Sequence, residues 1–276
     1  MIETFAPAKV NLALHITGQR DDGYHLLDSL VVFPDIGDTL RFEEATARKM
    51  TVTGPFAGGV PTGPENLIWQ AVDLLAPGRP LSITLEKNLP HGAGIGGGSS
   101  DAAATLSALS EAWALPLPDP AAILGLGADV PVCVAVMPAR MSGIGERLAP
   151  APKLPDCAIL LVNPRKPVST GPVFKGLQQK DNPPMPKPSW SDFDGLISWL
   201  GRTRNDLQPP AIACEPMILE VLATLSARPG CALSRMSGSG STCFGLYASA
   251  KEAHLAAREI SKQHPDWWVR ATTLRD

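Results

Sequence analysis

The 276-residue chain has no Lys/Arg-rich run, and its 27 acidic residues outnumber its 24 basic ones. Nucleic acid is therefore not an expected partner, because neutralising phosphates requires a clustered basic face. Long hydrophobic runs are missing too. The longest uncharged apolar stretch, 130–139, carries two prolines and falls far short of the ~20 residues of a membrane helix. Met1-Ile2-Glu3 opens without the basic and apolar regions of a signal peptide, so a cytoplasmic chain with no membrane partner is expected. Cysteine is scarce: Cys133, Cys157, Cys214, Cys231 and Cys243 are odd in number and form no C-x-x-C pair. Free thiols, mostly buried, in a reducing compartment are the expectation. His15, His25, His91, His254 and His264 show no H-x-x-x-H spacing, which gives a zinc site little support.

What is present fits a folded domain or two, with 44% hydrophobic and 18% charged residues. Val10, Leu12, Leu14 and Ile16 alternate with Lys9, Asn11, Ala13 and His15, the period of a half-buried strand. Strand-like runs follow at 26–33, 39–43 and 49–53, a helical pattern at 65–76, and a strand at 81–85. A glycine-rich stretch then leads into an Ala/Leu-rich helix to about residue 115, with Ser99 or Ser100 as its N-cap. Asp119-Pro120 opens another helix to about 128, and a strand is expected from about Val130. The proline-dense stretch 149–155 is the expected boundary between domains 1–150 and 151–276. Beyond it, strands at 157–162, 231–236, 242–247 and 267–273 and helices at 190–200, 215–227 and 250–264 give, apart from one extra helix, the β-α-β-β-α-β ferredoxin-like order. The fold class is α+β.

The strongest chemical signal is Gly94, Gly96, Gly97 and Gly98 between a strand and a helix. Such a loop leaves backbone N–H groups free to approach an anion, and the helix N-terminus adds its positive dipole end; phosphate is the natural ligand. Gly92-x-Gly94-x-x-Gly97 also satisfies the dinucleotide fingerprint, so a dehydrogenase is the rival class. That fold needs an acidic residue ending a second strand about 20 residues on, and Glu111 has the distance but lies inside the helical pattern. No Gly-Lys-Ser/Thr follows the glycines, and no H-R-D occurs, which leaves out the P-loop and protein-kinase forms. Lys9 and Asn11 project from the polar side of the first alternating strand, and Asp129 enters an apolar run from a turn. Ser237-Gly-Ser-Gly-Ser-Thr242 is either a plain hairpin loop or a second donor of N–H groups.

Three segments together change the reading: Pro7-Ala-Lys9-Val-Asn11-Leu, then Pro90-His-Gly-Ala-Gly-Ile-Gly-Gly-Gly-Ser-Ser-Asp-Ala-Ala103, and Arg235-Met-Ser-Gly-Ser-Gly-Ser-Thr-Cys-Phe244. They resemble the three motifs of the galactokinase–homoserine kinase–mevalonate kinase–phosphomevalonate kinase (GHMP) superfamily. Gly18-Gln-Arg-x-Asp-Gly-Tyr24-His25, Gly127-Ala-Asp-Val-Pro131 and Asn205-Asp-Leu207 are similar to the branch that phosphorylates diphosphocytidyl-methylerythritol. The resemblance runs from residue 5 to about 247. Ile95, Ser241 and Cys133 depart from the usual residues without removing a charged group.

The resemblance implies a two-domain fold, with an N-terminal ribosomal protein S5 domain 2-like part and a C-terminal ferredoxin-like part, and the substrate in the cleft between them. It implies ATP and Mg²⁺ as cofactors and transfer of the γ-phosphoryl group to a 2-hydroxyl in the non-mevalonate isoprenoid pathway. Lys9 and Asp129 would be catalytic, Asp129 as general base. Pro90, His91, Gly92, Ala93, Gly94, Ile95, Gly96, Gly97, Gly98, Ser99 and Ser100 would hold the triphosphate, with Ser99 near the metal. Asn11, Tyr24, His25, Phe174, Gly238 and Gly240 would bind the acceptor. The expected partner is this small molecule, the protein itself being a monomer or weak homodimer. A dehydrogenase or a non-catalytic nucleotide-binding module stands as the alternative.

Overall fold

In the computed structural model, which describes residues 1–275, the first strand is one that the alternation did not reveal. β1 (Ile2–Pro7) precedes the expected β2 (Val10–Gln19), and the two belong to different sheets. β3 (His25–Val32), β4 (Gly37–Glu44), β5 (Lys49–Thr53), α1 (Leu67–Leu75) and β6 (Leu81–Glu86) follow. The glycine-rich stretch then leads to α2 (Gly97–Ala112), α3 (Pro120–Leu126), α4 (Val130–Ala135), β7 (Ala139–Gly143) and β8 (Arg147–Pro150). The remainder is β9 (Ala158–Asn163), α5 (Thr170–Lys175), α6 (Phe193–Leu200), α7 (Gln208–Cys214), α8 (Met217–Ser226), β10 (Leu233–Met236), β11 (Cys243–Tyr247), α9 (Ala250–Gln263) and β12 (Trp268–Thr273).

These elements form two compact units, interleaved along the chain. The first takes Met1–Lys9, Ile36–His91 and Gly96–Val136; the second takes Val10–Asp35, Gly92–Ile95 and the chain from Met137 onward. The whole ferredoxin-like sheet lies beyond the proline-dense stretch, but the division at residue 150 does not coincide with these units, because the β2–β3 hairpin and β7–β8 pack with the later residues.

The first unit is built on a sheet of order β1-β4-β6-β5, antiparallel except for β5 against β6. Leu81, Ile83 and Leu85 alternate into its core and meet Ile68, Trp69 and Val72 of α1 and Leu109 of α2. Burying each such side chain contributes roughly 1.5–3 kcal/mol. Asn66 starts α1 by accepting a hydrogen bond from the Ile68 N–H at 2.9 Å. Asp119 does the same for α3, accepting from Ala121 and Ala122. The strand expected from Val130 is instead the helix α4. Pro131 is tolerated in its first turn, where an N–H has no intrahelical partner, so tertiary packing of Val130, Val132 and Cys133 overrides the β-branched preference.

In the second unit, one sheet has the order β2-β3-β7-β8 and the other β10-β11-β9-β12, each antiparallel throughout. The second is the ferredoxin-like arrangement expected from the element order, with β9 buried along its length. β2 is buried on both faces rather than half-buried: Asn11 and His15, opposite the apolar row, are each 1% exposed and hydrogen-bonded inside. No helix among the described residues is long and apolar enough to cross a membrane.

Candidate active site

Lys9 lies between β1 and β2 and is buried, yet its Nζ lies 2.9 Å from Oδ2 of Asp129, whose side chain is 31% exposed. Asp129 is the residue that starts α4. A carboxylate that keeps access to solvent while paired with a buried ammonium can exchange a proton with a ligand. Gly96 sits against this pair: a Cβ built on it would meet Lys9 Cε at 3.1 Å and lie 3.9 Å from Asp129 Oδ2. Its φ of +63° is the left-handed conformation, which costs an L side chain about 1–2 kcal/mol. Gly96, not Ser99 or Ser100, therefore caps α2, and it offers no side chain to the free N–H groups of the first turn. Those donors are left for another partner.

Around this point the remaining loop residues divide. Ser100 turns inward, its hydroxyl donating to Pro7 O at 2.6 Å, which ties α2 to the end of β1. Ser99 is half-buried and Gly98 exposed, both on the first turn of α2. A Cβ on Gly97 would meet Lys87 Nζ at 3.2 Å. Pro90 is buried, whereas His91 is exposed and its Nε2 lies 2.6 Å from Phe56 O. Gly92, Ala93 and Gly94 are fixed through backbone contacts in the second unit: Val168 N–H donates to Gly92 O, Thr242 N–H to Ala93 O, and Ser237 Oγ to Gly94 O. Ile95 is buried. α2 is followed by two further helices and the sheets are largely antiparallel, so the doubly wound parallel sheet of the dehydrogenase rival is not this fold.

Sequence reasoning missed the charged cluster under the loop. Lys87, just beyond β6, donates to Asp38 Oδ2 at 2.5 Å and to Asp101 Oδ2 at 2.6 Å, and all three are buried. Asp38 Oδ1 also accepts from the N–H groups of Asn88 and Leu89, which fixes the chain's exit toward Pro90. Burial would lower the Lys87 pKa, but attraction to Asp101 and Asp38 outweighs it and the net shift is upward. Burial above all pushes Asp101 up to about 7 despite the lysine. The Asp38 carboxylate adds to the effect of burial, because one ammonium faces two carboxylates. A lone lysine after a strand carries no pattern that would have announced it.

The acceptor candidates lie in the second unit. Asn11 donates from Nδ2 to Ser29 Oγ at 2.7 Å, and its N–H donates to Ser237 Oγ at 3.0 Å. His25 and Phe174 are brought together, ring centroids 4.9 Å apart and tilted by 37°. Burial, with a smaller push from Lys180, lowers the His25 pKa, and its buried Nε2 has no hydrogen-bond partner among the described residues. Tyr24 is 60% exposed, its ring on the turn beside His25. Gly238 and Gly240 have positive φ, and a Cβ on Gly238 would fall 2.6 Å from Gly94 O.

Comparison with known proteins agrees with this architecture. Residues 66–136 match the model of the GHMP kinases N terminal domain and residues 183–266 that of the GHMP kinases C terminal. A Cereibacter sphaeroides 4-diphosphocytidyl-2-C-methyl-D-erythritol kinase is 54% identical over 98% of each chain. Its Dinoroseobacter shibae namesake is 55% identical over 99% of this chain and 95% of its own. A crystal structure of 4-(cytidine 5'-diphospho)-2C-methyl-D-erythritol kinase superposes with a TM-score of 0.80 at 33% identity, covering 99% of both chains. The chain belongs to the 4-diphosphocytidyl-2-C-methyl-D-erythritol kinase family of the GHMP kinases.

Proposed function

We propose that this kinase transfers the γ-phosphoryl group of ATP to the 2-hydroxyl of 4-diphosphocytidyl-2-C-methyl-D-erythritol, a cytoplasmic step of the non-mevalonate isoprenoid pathway. The observation that carries the reading is the Lys9–Asp129 ion pair lying against Gly96 at the start of α2. Phosphoryl transfer needs a held triphosphate, neutralised charge and an acceptor for the hydroxyl proton, and these residues supply all three.

In this reading the backbone from Pro90 to Ser100 cradles the triphosphate, with the free N–H groups of α2 aimed at its oxygens. Asp129 accepts the hydroxyl proton as the acceptor oxygen bonds to the γ-phosphorus; the bond to the β–γ bridging oxygen breaks and ADP leaves. Lys9 holds Asp129 in place through their ion pair and stabilises charge on the moving group. No three His, Cys, Asp or Glu side chains gather into a metal site among the described residues. The half-buried Ser99 hydroxyl, on the first turn of α2, would be the protein's ligand to a magnesium ion. When bound, the ion neutralises phosphate charge. Asn11, Tyr24, His25, Phe174, Gly238 and Gly240 line the acceptor side. The neutral His25 ring presents its unpartnered Nε2 to the mixed donor–acceptor edge of cytosine. Residues 1–150 form the ATP-binding region and 151–276 the ferredoxin-like region of a monomer or weak homodimer, which sedimentation checks.

A coupled assay of ADP release with this acceptor tests the reading. Turnover that requires both ATP and the diphosphocytidyl substrate is expected. ATP binding without any turnover would favour a non-catalytic nucleotide-binding module.

A further inference from the structure

Asn205, in the Asn205-Asp206-Leu207 segment before α7, has no part in the chemistry above, yet every hydrogen-bonding atom of its side chain is engaged. It is 5% exposed. Its Nδ2 donates to Met236 O at 2.8 Å and to Gly238 O at 2.9 Å, while its Oδ1 accepts from Leu207 N–H at 2.9 Å. Only an amide can do this, since two carbonyls require a donor and the N–H requires an acceptor. The segment carrying Asn205 is itself pinned to β2. Leu14 N–H donates to Arg204 O, Asp206 N–H donates to Leu14 O, and Ile16 N–H donates to Asp206 Oδ2 at 2.7 Å.

Met236 and Gly238 flank Ser237, at the start of the turn between β10 and β11. That turn is in direct contact with the glycine loop. Ser237 Oγ donates to Gly94 O at 2.9 Å, and Thr242 N–H donates to Ala93 O at 3.0 Å. The two backbones are so close that a Cβ on Gly94 would fall 2.3 Å from Ser237 O. A shift of the turn must therefore move Ala93 and Gly94.

We propose that Asn205 is a positioning residue for ATP: its amide clamps the 237–242 turn, and the turn sets the backbone of the phosphate loop at Ala93 and Gly94. The inference rests on the kinase reading and names a residue that tunes its donor site without touching the nucleotide. A purely structural asparagine would change stability and the folded fraction, hence kcat, and would leave the KM for ATP alone.

The test compares Asn205→Ala, Ser237→Ala and Asp206→Asn with the unaltered enzyme, using the ADP-release assay, ATP calorimetry without acceptor, and melting curves. Asn205→Ala leaves two buried carbonyls unpaired, so the KM and Kd for ATP should rise at least ~10-fold, the Kd being read in the folded protein without acceptor. Ser237→Ala breaks the link to Gly94 from the other side and should show the same rise in the KM and Kd for ATP, which keeps the test decisive if Asn205→Ala does not fold. Asp206→Asn weakens the anchor to β2 and should lower Tm with little change in either KM. Folded Asn205→Ala with an unchanged KM for ATP, or an unfolded one beside a Ser237→Ala with an unchanged KM, overturns the inference and leaves the kinase reading intact. An unaltered enzyme that binds no ATP overturns both.

Discussion

The first unit buries polar groups as charges against charges, Lys9 with Asp129 and Lys87 between Asp38 and Asp101. The second has ion pairs of its own, Arg140 with Asp28 and Arg204 with Asp206, but the polar side chains beneath its 237–242 turn are held by backbone carbonyls. There Asn205 serves Met236 and Gly238, and the Arg235 guanidinium donates to Leu12 O, Leu200 O and Thr203 O. The contrast follows from the tasks assigned above. Moving a proton and a phosphoryl group requires charge that can be shared, whereas holding a turn requires direction and no titration. Carbonyl-directed bonds also keep a buried cation tolerable: burial pulls Arg235 down to about 10, and it remains protonated near neutrality.

Breaking the partly exposed pair should cost activity rather than fold. Asp129→Asn removes the proposed proton acceptor, so kcat should fall ~10²–10⁴-fold with ATP and acceptor still bound, as steady-state kinetics beside calorimetry would show. Lys9→Ala should cost at least as much, through lost neutralisation of the transferring group. Near-native kcat in Asp129→Asn would assign the base elsewhere.

Breaking the fully buried cluster should cost fold rather than chemistry. Lys87→Met strands two carboxylates in the interior, and removing one partner of such a cluster costs about 3–5 kcal/mol, readable by urea unfolding. The cluster also makes a signed pH forecast. Asp101 holds its proton to about pH 7 when folded, against 3.8 when unfolded. Between those values the unfolded chain binds fewer protons, so this group's contribution to stability declines as pH rises through the window and is level above it. Asp101→Asn should abolish that decline. Identical pH slopes for both proteins would mean that the cluster shares its proton differently.

The smallest effect belongs to the acceptor side. The uridine analogue replaces an amine donor with a carbonyl, so the enzyme should use it at least ~10-fold less well in kcat/KM. His25→Ala should erode that preference and leave ATP affinity alone. Equal use of both analogues by the unaltered enzyme would remove the cytosine assignment.

Sequence pattern carried the elements whose signals are local. The alternation at Leu81, Ile83 and Leu85, the Asp119 cap and the order of the last four strands all appear where their residues suggest. It misled where packing decides. The β-branched Val130–Ala135 forms a helix, and Gly96 takes the capping role that the sequence assigns to Ser99 or Ser100. For the candidate site, Lys9, Asp129 and the glycines were legible because their motifs are contiguous. Their juxtaposition was not, since Lys9 and Asp129 lie 120 positions apart in sequence and meet only through the fold. Lys87 and Asn205 act through partners at distant positions, 14 and 49 residues away for Lys87 and 31 and 33 for Asn205, and no spacing rule announces such pairs.

The central claim is that Lys9 and Asp129 work as one unit beside Gly96, and a double-mutant cycle in kcat tests it most directly. With the single variants Lys9→Ala and Asp129→Asn each measured against the unaltered enzyme, the double variant should lose about as much as the worse single change, within ~10-fold, because either alone dismantles the pair. Losses that multiply, giving a double variant slower by the full product of the two, would show that the residues act independently and would contradict the account.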